Sequence, residues 1–127
     1  MQPKLALMIG AVVAAIFGLL LVFASKSMLS GFGLGTPDEG IILSRDVGVT
    51  LLGLAAINWL ARDATGTALR AILIGNLAIQ VLEIVVNGFE IANGMLPNKA
   101  AGGLVIHAVL GVIFLLGLMR ARSEKTS

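Results

Sequence analysis

One stretch limits this chain more than any other. Ala68 to Ala92, ALRAILIGNLAIQVLEIVVNGFEIA, is apolar enough to enter a lipid bilayer, yet it carries Asn76, Gln80, Glu83, Asn87 and Glu90. The steps between those five are four, three, four and three residues. At about 100° per helical residue they fall within an arc of roughly 80°. The stretch therefore reads as a membrane helix with one narrow polar stripe.

The rest of the chain fits that reading. Of its 127 residues, 57% are hydrophobic and 13% charged, where a soluble domain is about one quarter charged. Mean hydropathy is +1.00. The expected class is integral membrane, all-α, as a single domain over 1–127. Its four spans are expected at about 5–24, 41–61, 68–92 and 98–119, joined by short connections into a four-helix bundle.

The first span, Leu5 to Ala24, carries no charge and crosses the hydrocarbon in about twenty residues. A cleaved signal peptide ending at Val22-Phe23-Ala24 is the rival reading, against which the apolar region is too long. Gly10, Ala14 and Gly18 line one face at spacing four, suited to close helix approach. Ser25 to Gly40 reads as a glycine-rich loop whose Met28, Leu29, Phe32 and Leu34 can lie at the interface. Its Gly31, Gly33 and Gly35 invite comparison with a phosphate turn, but no strand precedes them and no Lys-Ser/Thr follows. Thr36, Pro37 and Glu39 form a capping-box start for the second span. That span holds Arg45 and Asp46 about one turn deep, and Trp59 with Arg62 anchors its far end.

Arg62 to Thr67 is a tight connection, so the second and third spans are expected as an antiparallel hairpin. Asn93-Gly94, followed by Pro97, stops the third helix. The fourth contains the chain's one histidine, His107, with Gly103 and Gly111 a turn to either side. Small-residue faces on the first span and on the fourth can mate within the bundle or across a homo-oligomer.

Charge sets an expected orientation. The side shared by both termini and the middle connection holds Lys4, Arg62, Arg70, Arg120, Arg122 and Lys125, against Lys26, Arg45 and Lys99 opposite. That excess places both termini in the cytoplasm. The basic residues form no face and no aromatics interleave with them, so nucleic-acid binding is not expected. There are no cysteines, which removes thiolate chemistry. One histidine without His-x-x-x-His or Glu-x-x-His spacing argues against a metal site. No cofactor is implied, and no serine has an elbow motif for a triad with His107.

Counting back from the turns places residues by depth. Glu83 and His107 are each twelve residues from Met95, hence at one level; Arg45 falls level with Asn87, and Asp46 within a turn of them. Asn58 and Asn76 make a second match deeper in. An ionised residue at a helix centre costs roughly 2.5–3.5 kcal/mol, so the stripe should face other helices or a polar cavity. Glu83 is thereby expected to be shielded by the second and fourth spans. Asn and Gln in such a stripe also serve as interhelical glue, and Arg45 with Asp46 can be a local salt pair.

The run Arg45-Asp46-Val47-Gly48-Val49-Thr50-Leu51-Leu52-Gly53-Leu54, closing in Asn58-Trp59-Leu60-Ala61-Arg62, is similar to one in small four-helix bacterial membrane proteins of DoxX-like size and layout. The resemblance covers the second helix and extends elsewhere by helix count and spacing. It implies a bacterial inner-membrane four-helix bundle and brings no activity and no catalytic residues.

The expected function is that of a membrane protein with a small polar pocket in the outer half of the bundle, lined by Glu83, Asn87, His107, Arg45 and Gln80, that binds a lipophilic molecule or serves as an accessory subunit of a larger complex. Two alternatives are weighed against it. One is a membrane enzyme with Glu83 or Asp46 as general acid or base and His107 as its partner. The other is a proton-coupled transporter using Glu83.

Overall fold

The computed structural model describes residues 1–123, which form five α-helices. They are α1 (Pro3–Phe23), α2 (Ser25–Gly31), α3 (Asp38–Leu60), α4 (Gly66–Ala92) and α5 (Ala101–Ser123). Single 3₁₀ turns at Ala61–Asp63 and Asn98–Ala100 join α3 to α4 and α4 to α5. Four of the helices are long and apolar enough to cross a membrane. At 1.5 Å per residue the 21 residues of α1 span about 32 Å, the thickness of a hydrocarbon core. The chain is an all-α, multi-pass membrane four-helix bundle.

Local chemistry explains the element ends. Helix α4 stops in a Schellman motif. Gly94, at φ +70, is the left-handed residue; its amide reaches Ile91 O at 3.1 Å, and the Met95 amide reaches Glu90 O at 2.8 Å. Gly33, at φ +77, repeats the device for α2, with Gly33 N to Ser30 O and Leu34 N to Leu29 O both at 2.9 Å. The segment expected as a loop from Ser25 to Gly40 therefore opens with seven helical residues. The glycines that suggested flexibility include the one that terminates this helix. The Thr36–Glu39 capping box does not form either. Pro37 occupies the N-cap, no side-chain cap bond is made, and Asp38 and Glu39 meet the helix dipole in the first turn instead.

Packing corrects the expected pairing. Helix α3 lies along α1, and α4 along α5, while α1 also touches α5. Helices α3 and α4 are consecutive and antiparallel but do not pack along their length. The α1–α3 crossing is set by two glycines. A Cβ on Gly18 would stand 2.9 Å from Gly48 O, and one on Gly48 would stand 2.8 Å from Gly18 O. Only bare backbones can meet this closely. At the other glycine of that face, Gly10 is covered by the Phe114 ring and by Asn58. The small face of the first helix is thus consumed inside the bundle, by α3 and α5.

The buried hydrophobic core lies toward the end of the bundle carrying the N-terminus and the Ala61–Asp63 turn, here termed the terminal end. Leu7, Leu73 and Phe114 are its fully buried centre, with Ala6, Leu69, Leu110 and Leu118 around them. Lys4 Nζ reaches Asp63 Oδ1 at 2.6 Å across this end, and the Arg62 guanidinium lies 4.7 Å from the Trp59 ring. At the opposite, loop end, α2 and the Pro97–Lys99 turn come together at Gly33.

Candidate functional site

The polar stripe on α4 divides into two levels. At the terminal level Asn58, fully buried on α3, and Asn76, 3% exposed, form a reciprocal amide pair. Asn58 Nδ2 donates to Asn76 Oδ1 at 2.9 Å, and Asn76 Nδ2 donates to Asn58 Oδ1 at 2.7 Å. Asn76 also donates to Ile72 O at 2.9 Å. Each amide thereby uses a donor and its acceptor within protein, as membrane burial demands.

One turn on, the pattern opens. Gln80 is 5% exposed and its Oε1 lies 2.8 Å from His107 Nδ1 on α5. Gly111, one turn beyond His107, packs against the same side chain: a Cβ there would stand 3.6 Å from Gln80 Cβ, an ordinary contact distance. With Oε1 as acceptor, Nδ1–H donates. His107 Nε2 and Gln80 Nε2 form no hydrogen bond among the described residues, and neither is a buried atom left without a partner. Both therefore remain accessible.

Gln80 and His107 line a cavity of about 240 Å³ bordered by all four long helices and α2. Its walls are apolar: Val13, Ala14 and Phe17 from α1, Leu51 and Leu54 from α3, Ile106 and Leu110 from α5. Met28 of α2 and Phe32, the residue that caps its end, complete the lining on that side, and Phe114 of α5 also lines the cavity. Polar groups are confined to one side, where Asn76, Gln80 and Glu83 of α4 and His107 of α5 line it. The exposed lining residues are Val47, Ile79 and Glu83. All three flank the gap between α3 and α4, so the mouth opens sideways, where acyl chains would lie.

No known protein family, curated protein or solved structure matches this chain.

Geometry sorts the residues singled out in the sequence. Glu83 and His107, level by residue count, do line one cavity. Glu83 is nevertheless exposed at the mouth and not covered by α3 and α5. Its carboxylate Oε2 accepts from Asn87 Nδ2 at 2.8 Å on its own helix. Asn87 spends its other contact on Glu83 O, also at 2.8 Å, and does not line the cavity. Glu90 is half-buried and likewise outside it.

Arg45 and Asp46 correct the expectation outright. Both are exposed, neither lines the cavity, and they form no ion pair with each other or with α4 among the described residues. The reason is rotational. Helix α3 buries Ile41, Ser44, Gly48, Ala55 and Asn58 against its neighbours. Asp46 lies roughly 175° round the helix from the centre of that face, and Arg45 about 85°. Direction round the helix, which residue counting does not supply, keeps them out of the cavity.

Sequence reasoning missed the aromatic lining. Phe17, Phe32 and Phe114 are three of the chain's five phenylalanines and all face the cavity with Met28. The small-residue face of α1 was a usable signal for its wall. An isolated phenylalanine in an apolar helix carries none.

Proposed function

We propose that this chain is a membrane protein that receives a lipophilic molecule in the cavity between α1, α3, α4 and α5, with the polar part of that molecule against Gln80, His107 and Glu83. The observation that carries the reading is the distribution of polarity: an apolar chamber with its hydrogen-bonding groups gathered on one wall. For scale, a dry cavity of about 150 Å³ holds a benzene molecule. Here about 240 Å³ takes a ring or a comparable hydrocarbon head, with any longer tail leaving through the gap between α3 and α4.

Purified in mild detergent, the protein is expected to carry a lipid-like molecule detectable by mass spectrometry. Leu54→Trp, which fills the cavity, should remove it without loss of fold. Glu83→Gln should alter its retention. A protein that purifies empty, with Leu54→Trp indistinguishable from wild type, would end the reading.

A second reading is favoured by the presence of two titratable groups, Glu83 and His107, on one cavity wall. In it the bound molecule is a substrate for acid–base chemistry. His107→Ala would then abolish turnover of the copurifying molecule while leaving it bound.

The membrane assigned to it is the bacterial inner membrane, with both termini cytoplasmic. Supporting that, Lys4, Arg62, Arg70, Arg120 and Arg122 belong to the terminal end and Lys26, Arg45 and Lys99 to the loop end. Lys125, counted with the terminal charges, lies outside the described residues. A reporter fused at the C-terminus should be active only in its cytoplasmic form.

A further inference from the structure

The paired side chains on the cavity wall also say what kind of head group fits there. An amide and an imidazole joined by one hydrogen bond have two states. If Gln80 Oε1 accepts from His107 Nδ1–H, the free groups are a donor, Gln80 N–H, and an acceptor, the Nε2 lone pair. If the amide turns over and the imidazole changes tautomer, the free groups are the Gln80 carbonyl and His107 Nε2–H. Either way the wall offers the cavity one donor and one acceptor. The Glu83 carboxylate adds a further acceptor at the mouth, its Oε2 already holding Asn87.

Resting on the pocket reading above, we infer that the ligand is a hydroxyl-bearing lipophile. A hydroxyl donates once and accepts up to twice, so it meets both members of the pair at once. An ether or ester oxygen only accepts, and leaves the imidazole or amide acceptor unpaired in an apolar chamber. A hydrocarbon leaves both unpaired. Three phenylalanines and Met28 elsewhere in the lining make a ring a suitable carrier for that hydroxyl.

The test uses three molecules of nearly one shape: 4-hexylphenol, 4-hexylanisole and hexylbenzene. Binding to the full-length protein in detergent is measured by native mass spectrometry, with a Leu54→Trp control for uptake outside the cavity. The phenol should bind about tenfold more tightly than the anisole, the discrimination one well-made hydrogen bond supports. His107→Leu should shrink that ratio to near unity while hexylbenzene binding holds, and His107→Asn, which keeps a donor and an acceptor, should restore part of it. The ¹⁵N shift of His107 Nε2 should move on adding the phenol and stay put with hexylbenzene. If all three bind equally and are displaced in Leu54→Trp, the hydroxyl inference is overturned and the pocket stands. If none is held in the cavity, the pocket itself falls, and the inference with it.

Discussion

Asn76 and Gln80 are one turn apart on the same helix face, and both are almost fully buried. The protein treats them differently. Asn76 meets an identical amide, and the two close on each other through reciprocal hydrogen bonds. Gln80 meets a ring nitrogen, and the pair keeps one donor and one acceptor without a protein partner among the described residues, in side chains that line the cavity. Interhelical glue needs only the first arrangement. A buried polar pair that keeps free valences beside a cavity is costly unless something supplies the missing partners. On the proposed reading, the contrast divides the stripe into an interhelical lock, Asn58 with Asn76, and a pair that serves the pocket, Gln80 with His107.

Substitutions can strain this distinction in order of expected effect. Gly48→Leu should be the most damaging, because its side chain must enter the Gly18 backbone; about 1–3 kcal/mol or loss of the folded species is expected, read by denaturation in mixed micelles. Asn58→Leu should cost about 1–2 kcal/mol by orphaning Asn76. Replacing both asparagines with leucine should recover most of that loss, a coupling of about 1 kcal/mol in a double-mutant cycle. Should the double variant instead lose ligand, the terminal pair belongs to the site after all. Glu83→Gln is expected within about 0.5 kcal/mol of wild type in stability, since the residue is exposed, while ligand retention changes. Smallest is Lys4→Gln or Asp63→Asn. That pair is more than half exposed, and the unfolding midpoint should not move.

Much of the architecture was legible in the residues because lipid imposes length and polarity on a helix almost alone. Span positions, the Gly94 stop and the Trp59–Arg62 anchor all follow from local rules. Depth was legible as well: Asn58 meets Asn76, and Glu83 shares a cavity with His107, as residue counting places them. Azimuth was not. Nothing in α3 announces that its packed face runs through Gly48 and Ala55 and turns Asp46 away, because the opposite face is equally apolar. The neighbour relation of α3 with α1 was hidden for the same reason. It depends on Gly18 meeting Gly48, a match between two segments some thirty residues apart. Helix α2 was masked by glycine, whose role at position 33 is to end a helix and not to loosen a loop.

The sideways gap between α3 and α4 carries a consequence for how occupancy should be reckoned. On the proposed reading, a guest arrives by lateral diffusion in the leaflet and never as a free solute. Its effective concentration is then a mole fraction among lipids, and dilution into buffer leaves it unchanged. Loading should respond instead to the amount of surrounding bilayer or detergent, which competes for the same guest. Delipidation, more than any wash, is what would empty the protein.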